Sequence, residues 1–129
     1  GGRRRLAVKI LLAEDNQDLS DSMAVYLRLL GYTVEVAYDG RGAVELAPEF
    51  LPDVALLDIG MPHMNGYEAA REIRRQLGSR VVLIALTAWS RESDKQAAAE
   101  AGFDHHFAKP ADLEALTKLL ATLAAQARP

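Results

Sequence analysis

Three stretches of this chain are apolar with almost no interruption: Leu6 to Leu12, broken only by Lys9, then Val54 to Leu57, then Val81 to Leu86. A strand with one wet face alternates in polarity, and a strand covered on both faces does not, so these runs read as strands of a parallel sheet. Each is far shorter than the unbroken apolar length that spans a bilayer. The run at Val54 constrains the chain most. It delivers Asp58 into Ile59-Gly60-Met61-Pro62-His63-Met64-Asn65-Gly66, a loop of turn-forming residues, and open α/β sheets carry their ligands at the carboxyl ends of strands.

Helical signals fill the spaces between. Leu19, Met23, Val25, Leu27, Leu29 and Leu30 recur mostly at spacings of a helix, with Asp15 or Asn16 as its N-cap and Gly31 as its stop. Thr33 to Ala37 is a short β-branched strand, and Asp39-Gly40 turns the chain into a helix over residues 42–49. After Gly66, the residues Tyr67, Ala70, Ile73, Arg74 and Leu77 mark a third helix that Gly78 closes. A helix from Arg91 to Ala101 ends at Gly102, Asp104 to Phe107 is a fifth strand, and Leu113, Leu116, Leu119, Leu120 and Leu123 stripe a last helix. Strands alternating with helices predict an α/β fold, a doubly wound five-stranded parallel sheet with five helices, because parallel neighbours need crossovers.

The 129 residues suit one domain, with residues 6–129 inside it and residues 1–5 read as a disordered tail or a cloning remnant. A net charge of -3 offers no general attraction to nucleic acid or to anionic membranes, and neither is expected as a partner. The chain has no cysteine, which excludes disulfides, thiol nucleophiles and cysteine-based zinc sites. Together with the lack of a secretory signal pattern, this predicts a cytoplasmic location.

Four strand ends of one parallel sheet open on one edge, so Glu14-Asp15, Asp58, Thr87 and Lys109 converge although the sequence scatters them. Taken singly, each has an ordinary reading: an acid pair capping a helix, an Asx turn, a strand-end hydroxyl, a solvated lysine. In conjunction they describe a site. Crowded carboxylates with no histidine or cysteine among them select a hard cation, Mg²⁺. Such an acidic site with one ammonium and one hydroxyl suits a phosphoryl group, with Asp58 as the nucleophile.

The motifs Ala13-Glu14-Asp15-Asn16, Leu57-Asp58-Ile59-Gly60-Met61-Pro62 with Asn65-Gly66, Leu86-Thr87-Ala88 and Ala108-Lys109-Pro110 resemble those of the receiver domain of two-component response regulators, from about Lys9 to Leu123. The resemblance implies the flavodoxin-like fold of that family, with strand order 2-1-3-4-5. It implies that Asp58 accepts a phosphoryl group from a histidine kinase or histidine phosphotransfer protein, and that the domain catalyses its own phosphorylation and dephosphorylation without turning over an external substrate. Asp15, Asp58 and the Gly60 carbonyl would hold Mg²⁺, with Glu14 acting mostly through water. Thr87 and Lys109 would grip the phosphoryl oxygens, next to a cis Lys109-Pro110 bond.

The resemblance also implies a switch of the surface formed by the fourth helix, fifth strand and fifth helix. Thr87 swings toward the phosphoryl group and an aromatic residue on the fifth strand turns inward; that position is His106 here, where many relatives carry Tyr or Phe. His106 is therefore read either as a titratable switch residue or as a histidine packed at the sheet edge. Adjacent His105 and His106 point to opposite faces and do not form a metal site, and none is expected at His63. Gly60 and Trp89, each two residues beyond a site residue, are expected to tune the lifetime of the acyl phosphate.

Within this resemblance, the stretch Ala101 to His106 is most similar to receivers of hybrid sensor histidine kinases, and the chain is expected to be either a stand-alone receiver or one cut from a larger protein. Rival readings are a Mg²⁺-dependent phosphohydrolase with Asp58 as nucleophile, a flavin or nucleotide binder, and a docking module independent of phosphorylation. The first lacks a second carboxylate at Gly60, and the second lacks a phosphate-cradling loop after the first strand.

Overall fold

The structure is a computed structural model that describes residues 8–88 and 92–126, the backbone alone for residues 92–94. Its elements are β1 (Lys9–Ala13), α1 (Gln17–Leu29), β2 (Thr33–Ala37), α2 (Gly40–Phe50), β3 (Val54–Asp58), α3 (Gly66–Leu77), β4 (Val82–Thr87), α4 (Glu92–Glu100), β5 (His105–Ala108) and α5 (Leu113–Gln126). The sheet runs β2-β1-β3-β4-β5, with every pairing parallel, as the resemblance implied.

The continuous apolar strands are buried on both faces, for the reason their sequence suggested. Ile10, Leu12, Val54, Leu56, Ile84 and Leu86 face α1 and α5, packing with Met23, Leu27, Leu116 and Leu120. Leu11, Leu57, Leu83 and three alanines, Ala13, Ala55 and Ala85, face the other layer, with Ala43 and Ala47 of α2, Ala70 and Ile73 of α3 and Ala98 of α4. Burying each large aliphatic side chain stabilises the fold by about 2 kcal/mol.

Caps fix where the helices begin. Asn16, not Asp15, caps α1, its side chain accepting the Leu19 N–H at 3.1 Å. Asp39 caps α2 through the Gly42 N–H at 2.7 Å, which is why that helix starts at Gly40 rather than Gly42. Asn65 and Glu68 form a reciprocal capping box at the head of α3, with bonds of 2.9 and 3.0 Å. Gly31 stops α1 with φ at +101°, a conformation that glycine adopts freely.

Other boundaries move by a residue or more. The first strand opens at Lys9; Val8 lies before it, and residues 6 and 7 are outside the described residues. A 3-10 turn at Gly78–Arg80 follows α3, so β4 starts at Val82. The fifth strand is His105–Ala108, because the Asp104 carboxylate is taken by Arg74 at 2.8 Å and by the Leu83 N–H at 2.9 Å. The expected start of the fourth helix, Arg91, lies outside the described residues, and α4 ends at Glu100.

Candidate phosphoacceptor site

Strand register brings the site together. Ala13 is level with Leu57, Asp58 with Leu86, and Thr87 with Ala108, so Glu14, Asp58, Thr87 and Lys109 leave the sheet on the same edge. The Lys109 N–H donates to the Thr87 carbonyl at 2.7 Å, which extends the β4–β5 ladder past its end, and the following peptide bond to Pro110 is cis. Gly66 allows the loop after Asp58 to fold back. A Cβ there would lie 2.6 Å from the Asp58 carbonyl oxygen and 2.7 Å from the Ile59 Cα.

Glu14 is wholly buried. One of its oxygens accepts the Asn16 N–H at 3.0 Å, and the other lies 3.0 Å from the Lys109 ammonium. Burial pushes the Glu14 carboxyl above its ordinary range, against the Asn16 N–H and Lys109, which favour the charge. Asp58 is 4% exposed; its Oδ1 accepts the Gly60 N–H at 3.2 Å, and its Oδ2 lies 3.3 Å from Lys109 Nζ. Burial works against the charge on Lys109, yet Glu14 and Asp58 outweigh it and raise the ammonium's affinity for its proton. Asp15 is exposed at the rim.

Ligand oxygens of Glu14, Asp15 and Asp58 all lie within 4.8 Å of one another. Three carboxylates around one ammonium leave negative charge in excess, and the donors are oxygen throughout. That donor set fits a hard divalent cation. Glu14 is more than a distant member of the group, since it also touches Lys109 directly.

Beside buried Thr87 is a gap of about 10 Å³, room for a single water, walled in part by Tyr67, Lys95 and His106. His106 is exposed on this side of β5, while His105 is half-buried and, as a strand neighbour, points to the other face. Sequence reasoning passed over Tyr67 and Lys95. Tyr67 directly follows the Asn65-Gly66 motif, which was a usable signal, whereas nothing in the alanine-rich sequence of α4 marks Lys95. The expected lifetime residue Trp89 lies outside the described residues. No helix among the described residues is long and apolar enough to cross a membrane.

The sequence profile described as "Response regulator receiver domain" matches residues 10–121. The chain belongs to this family. As a receiver domain of the two-component type it is 34% identical, over 124 residues and 96% of its length, to the response regulator MprA of Mycolicibacterium vanbaalenii, of which it covers 53%. It thus spans about half the length of the curated relatives it matches. Among solved structures, it is 38% identical to the receiver domain of sensor histidine kinase PA1611 from Pseudomonas aeruginosa PAO1, which holds a magnesium ion coordinated in its active site cleft. The TM-score is 0.83, over 92% of this chain and 98% of that one. The Vibrio cholerae chemotaxis protein CheY4 superposes with a TM-score of 0.84 at 29% identity, over 91% of this receiver domain and 98% of its own chain.

Proposed function

We propose that this receiver domain takes a phosphoryl group onto Asp58 from a phosphohistidine, presented in the cytoplasm by a histidine kinase or histidine phosphotransfer protein. The observation that carries this reading is the pairing of a buried acceptor with its cation: Asp58 Oδ2 lies 3.3 Å from Lys109 Nζ, inside a cluster of three carboxylates.

The chemistry follows from the arrangement. An Asp58 oxygen attacks phosphorus, the bond from phosphorus to the donor nitrogen breaks, and the leaving imidazole keeps that electron pair. Glu14, Asp15, Asp58 and the Gly60 carbonyl would hold Mg²⁺, which when bound supplies positive charge against the acceptor and the transferring oxygens. Lys109, anchored by Glu14 at 3.0 Å, sets its ammonium where charge accumulates on the phosphoryl oxygens. Thr87 supplies a hydroxyl at the same edge. Water later attacks phosphorus, releasing inorganic phosphate and regenerating the Asp58 carboxylate, and Gly60 and Trp89 set how readily it arrives. The turn of Thr87 toward the phosphoryl group is passed on through His106 to the surface of α4, β5 and α5.

Incubation with a small phosphodonor and Mg²⁺, followed by intact-mass measurement, tests the reading. One added phosphoryl group is expected in the wild type and none in Asp58→Ala. An unmodified wild type, or an equally modified Asp58→Ala, would overturn it.

A further inference from the structure

The loop between β3 and α3 is folded more tightly than its length requires. Met64 donates its N–H to the Pro62 carbonyl at 2.7 Å, which closes a three-residue turn, and His63 at the centre of that turn has φ at +69°. A γ-turn of positive φ is rare and strained for an L-residue. The His63 side chain is exposed, so burial of the imidazole does not explain the bend. What explains it lies on another element. Turned by this bend, the Met64 carbonyl rests against the first residue of α2: a Cβ on Gly40 would sit 1.9 Å from the Met64 oxygen and 2.8 Å from its carbon.

Gly40 does not have positive φ, so its backbone conformation would accept any residue; the contact would not. Gly40 is buried, and the Asp39 cap holds the helix start in place. At the loop's other end the Ile59 N–H donates to the Leu86 carbonyl at 2.9 Å, and the Gly66 N–H donates to the Ile59 carbonyl at 3.0 Å. The loop is therefore tied to β4, to its own closing residue and to α2. It also touches the acceptor, through the Gly60 N–H on Asp58 Oδ1 at 3.2 Å.

We infer that Gly40 is a positioning residue for the phosphoacceptor site: by admitting the Met64 carbonyl against bare backbone, it keeps the loop closed and sets where the Gly60 main chain faces Asp58. This deepens the proposed function and rests on it for its chemistry. The contact is from backbone to backbone, so no side chain can yield to a new methyl group. The loop must move instead.

The test compares Gly40→Ala with Gly42→Ala, two substitutions in the same helical turn with the same gain in helix propensity. A Cβ at Gly42 meets only the Asp39 Oδ1 at 3.2 Å and the Ala37 Cβ at 3.5 Å, and the carboxylate can give slightly while keeping its bond to the residue-42 N–H. Mg²⁺ binding is followed without any phosphodonor, by the amide NMR shifts of Asp58 and Gly60, and phosphoryl uptake is followed by mass. In Gly40→Ala the Mg²⁺ midpoint is expected to rise, and uptake to slow, by about tenfold each, whereas Gly42→Ala stays close to wild type. The double variant Gly40→Ala/His63→Gly should recover part of the loss, since glycine at the turn lets the loop re-form around the methyl. A purely structural defect would lower the melting temperature and leave the midpoint of the folded protein alone.

A Gly40→Ala protein with wild-type Mg²⁺ midpoint and uptake overturns the inference. If that variant does not fold, the double variant Gly40→Ala/His63→Gly decides: a raised midpoint in the folded protein supports the inference, and a wild-type midpoint overturns it. A wild type that shifts with Mg²⁺ but takes up no phosphoryl group would instead sink the proposed function, and the positioning role would then be judged on the midpoint alone.

Discussion

At the amino ends of the strands one arginine serves four acceptors, and at their carboxyl ends one lysine serves a surplus of acid. Arg74 Nη1 donates to the carbonyls of Gly78 and Val81, both at 2.7 Å, and Nη2 donates to the Gly102 carbonyl at 2.7 Å and to Asp104 at 2.8 Å. Asp104 in turn accepts the Leu83 N–H at 2.9 Å, so charges and donors there are matched. Lys109, by contrast, lies 3.0 Å from Glu14 and 3.3 Å from Asp58, with Asp15 completing a group of three carboxylates. A closed network ties elements together; an unbalanced one is ready for a further cation and a reactant.

The comparison breaks most visibly at its closed end. Arg74→Ala leaves the carbonyls of Val81 and Gly102, both removed from full solvent exposure, and the Asp104 carboxylate without their donor, and stability should fall by about 3 kcal/mol, or roughly 10 °C in melting temperature. Phosphoryl uptake by the folded variant should match wild type. A loss of uptake with no loss of stability would mean that the two clusters are not separate in function.

At the open end, Mg²⁺ at about a hundred times its dissociation constant should stabilise the protein by roughly 2.7 kcal/mol near neutral pH, read as a shift in thermal melting. The gain should shrink on acidification, with Glu14 among the first of the cluster's carboxylates to protonate because burial already raises its pKa. An identical gain at acid and neutral pH would remove the carboxylates from the site.

The smallest effect concerns Glu14 without metal. Its folded pKa lies above the unfolded value, so the stability tied to its proton is full below about 4.5 and is lost as pH rises through the folded value. Glu14→Gln, which removes that buried charge, should therefore gain stability relative to wild type as Mg²⁺-free solution is taken from acid to neutral pH. The difference should close toward acid, and chemical denaturation at two pH values measures it.

These two clusters were not equally legible in the sequence. Glu14-Asp15, Asp58 and Thr87 each follow an apolar run, Lys109 follows the short strand signal of residues 104–107, and strand polarity alone sends such residues to one edge. Arg74 gave no such sign. Its place after Ile73 fits helical spacing, and its partners at Gly102 and Asp104 lie 28 and 30 residues away across a crossover that periodicity does not measure. Gly40 was legible as a turn but not as a contact, because the Met64 carbonyl that it admits belongs to the backbone and leaves no trace in residue type. The offset of β5 from Asp104 to His105 has the same origin, since an acidic residue at a strand's start was claimed by an arginine from another layer.

The parallel sheet has one consequence for the life of the chain. Its carboxyl edge collects residues from the ends of β1, β3, β4 and β5, and Lys109, just past the last strand at the sheet's margin, is held there by its N–H on the Thr87 carbonyl. Under the proposed function, chemical competence becomes a report on completed folding: a chain still emerging, or one whose last strand has peeled away, would carry Asp58 and the acids without the Lys109 ammonium beside them, and would stay silent to a phosphodonor until the sheet is whole.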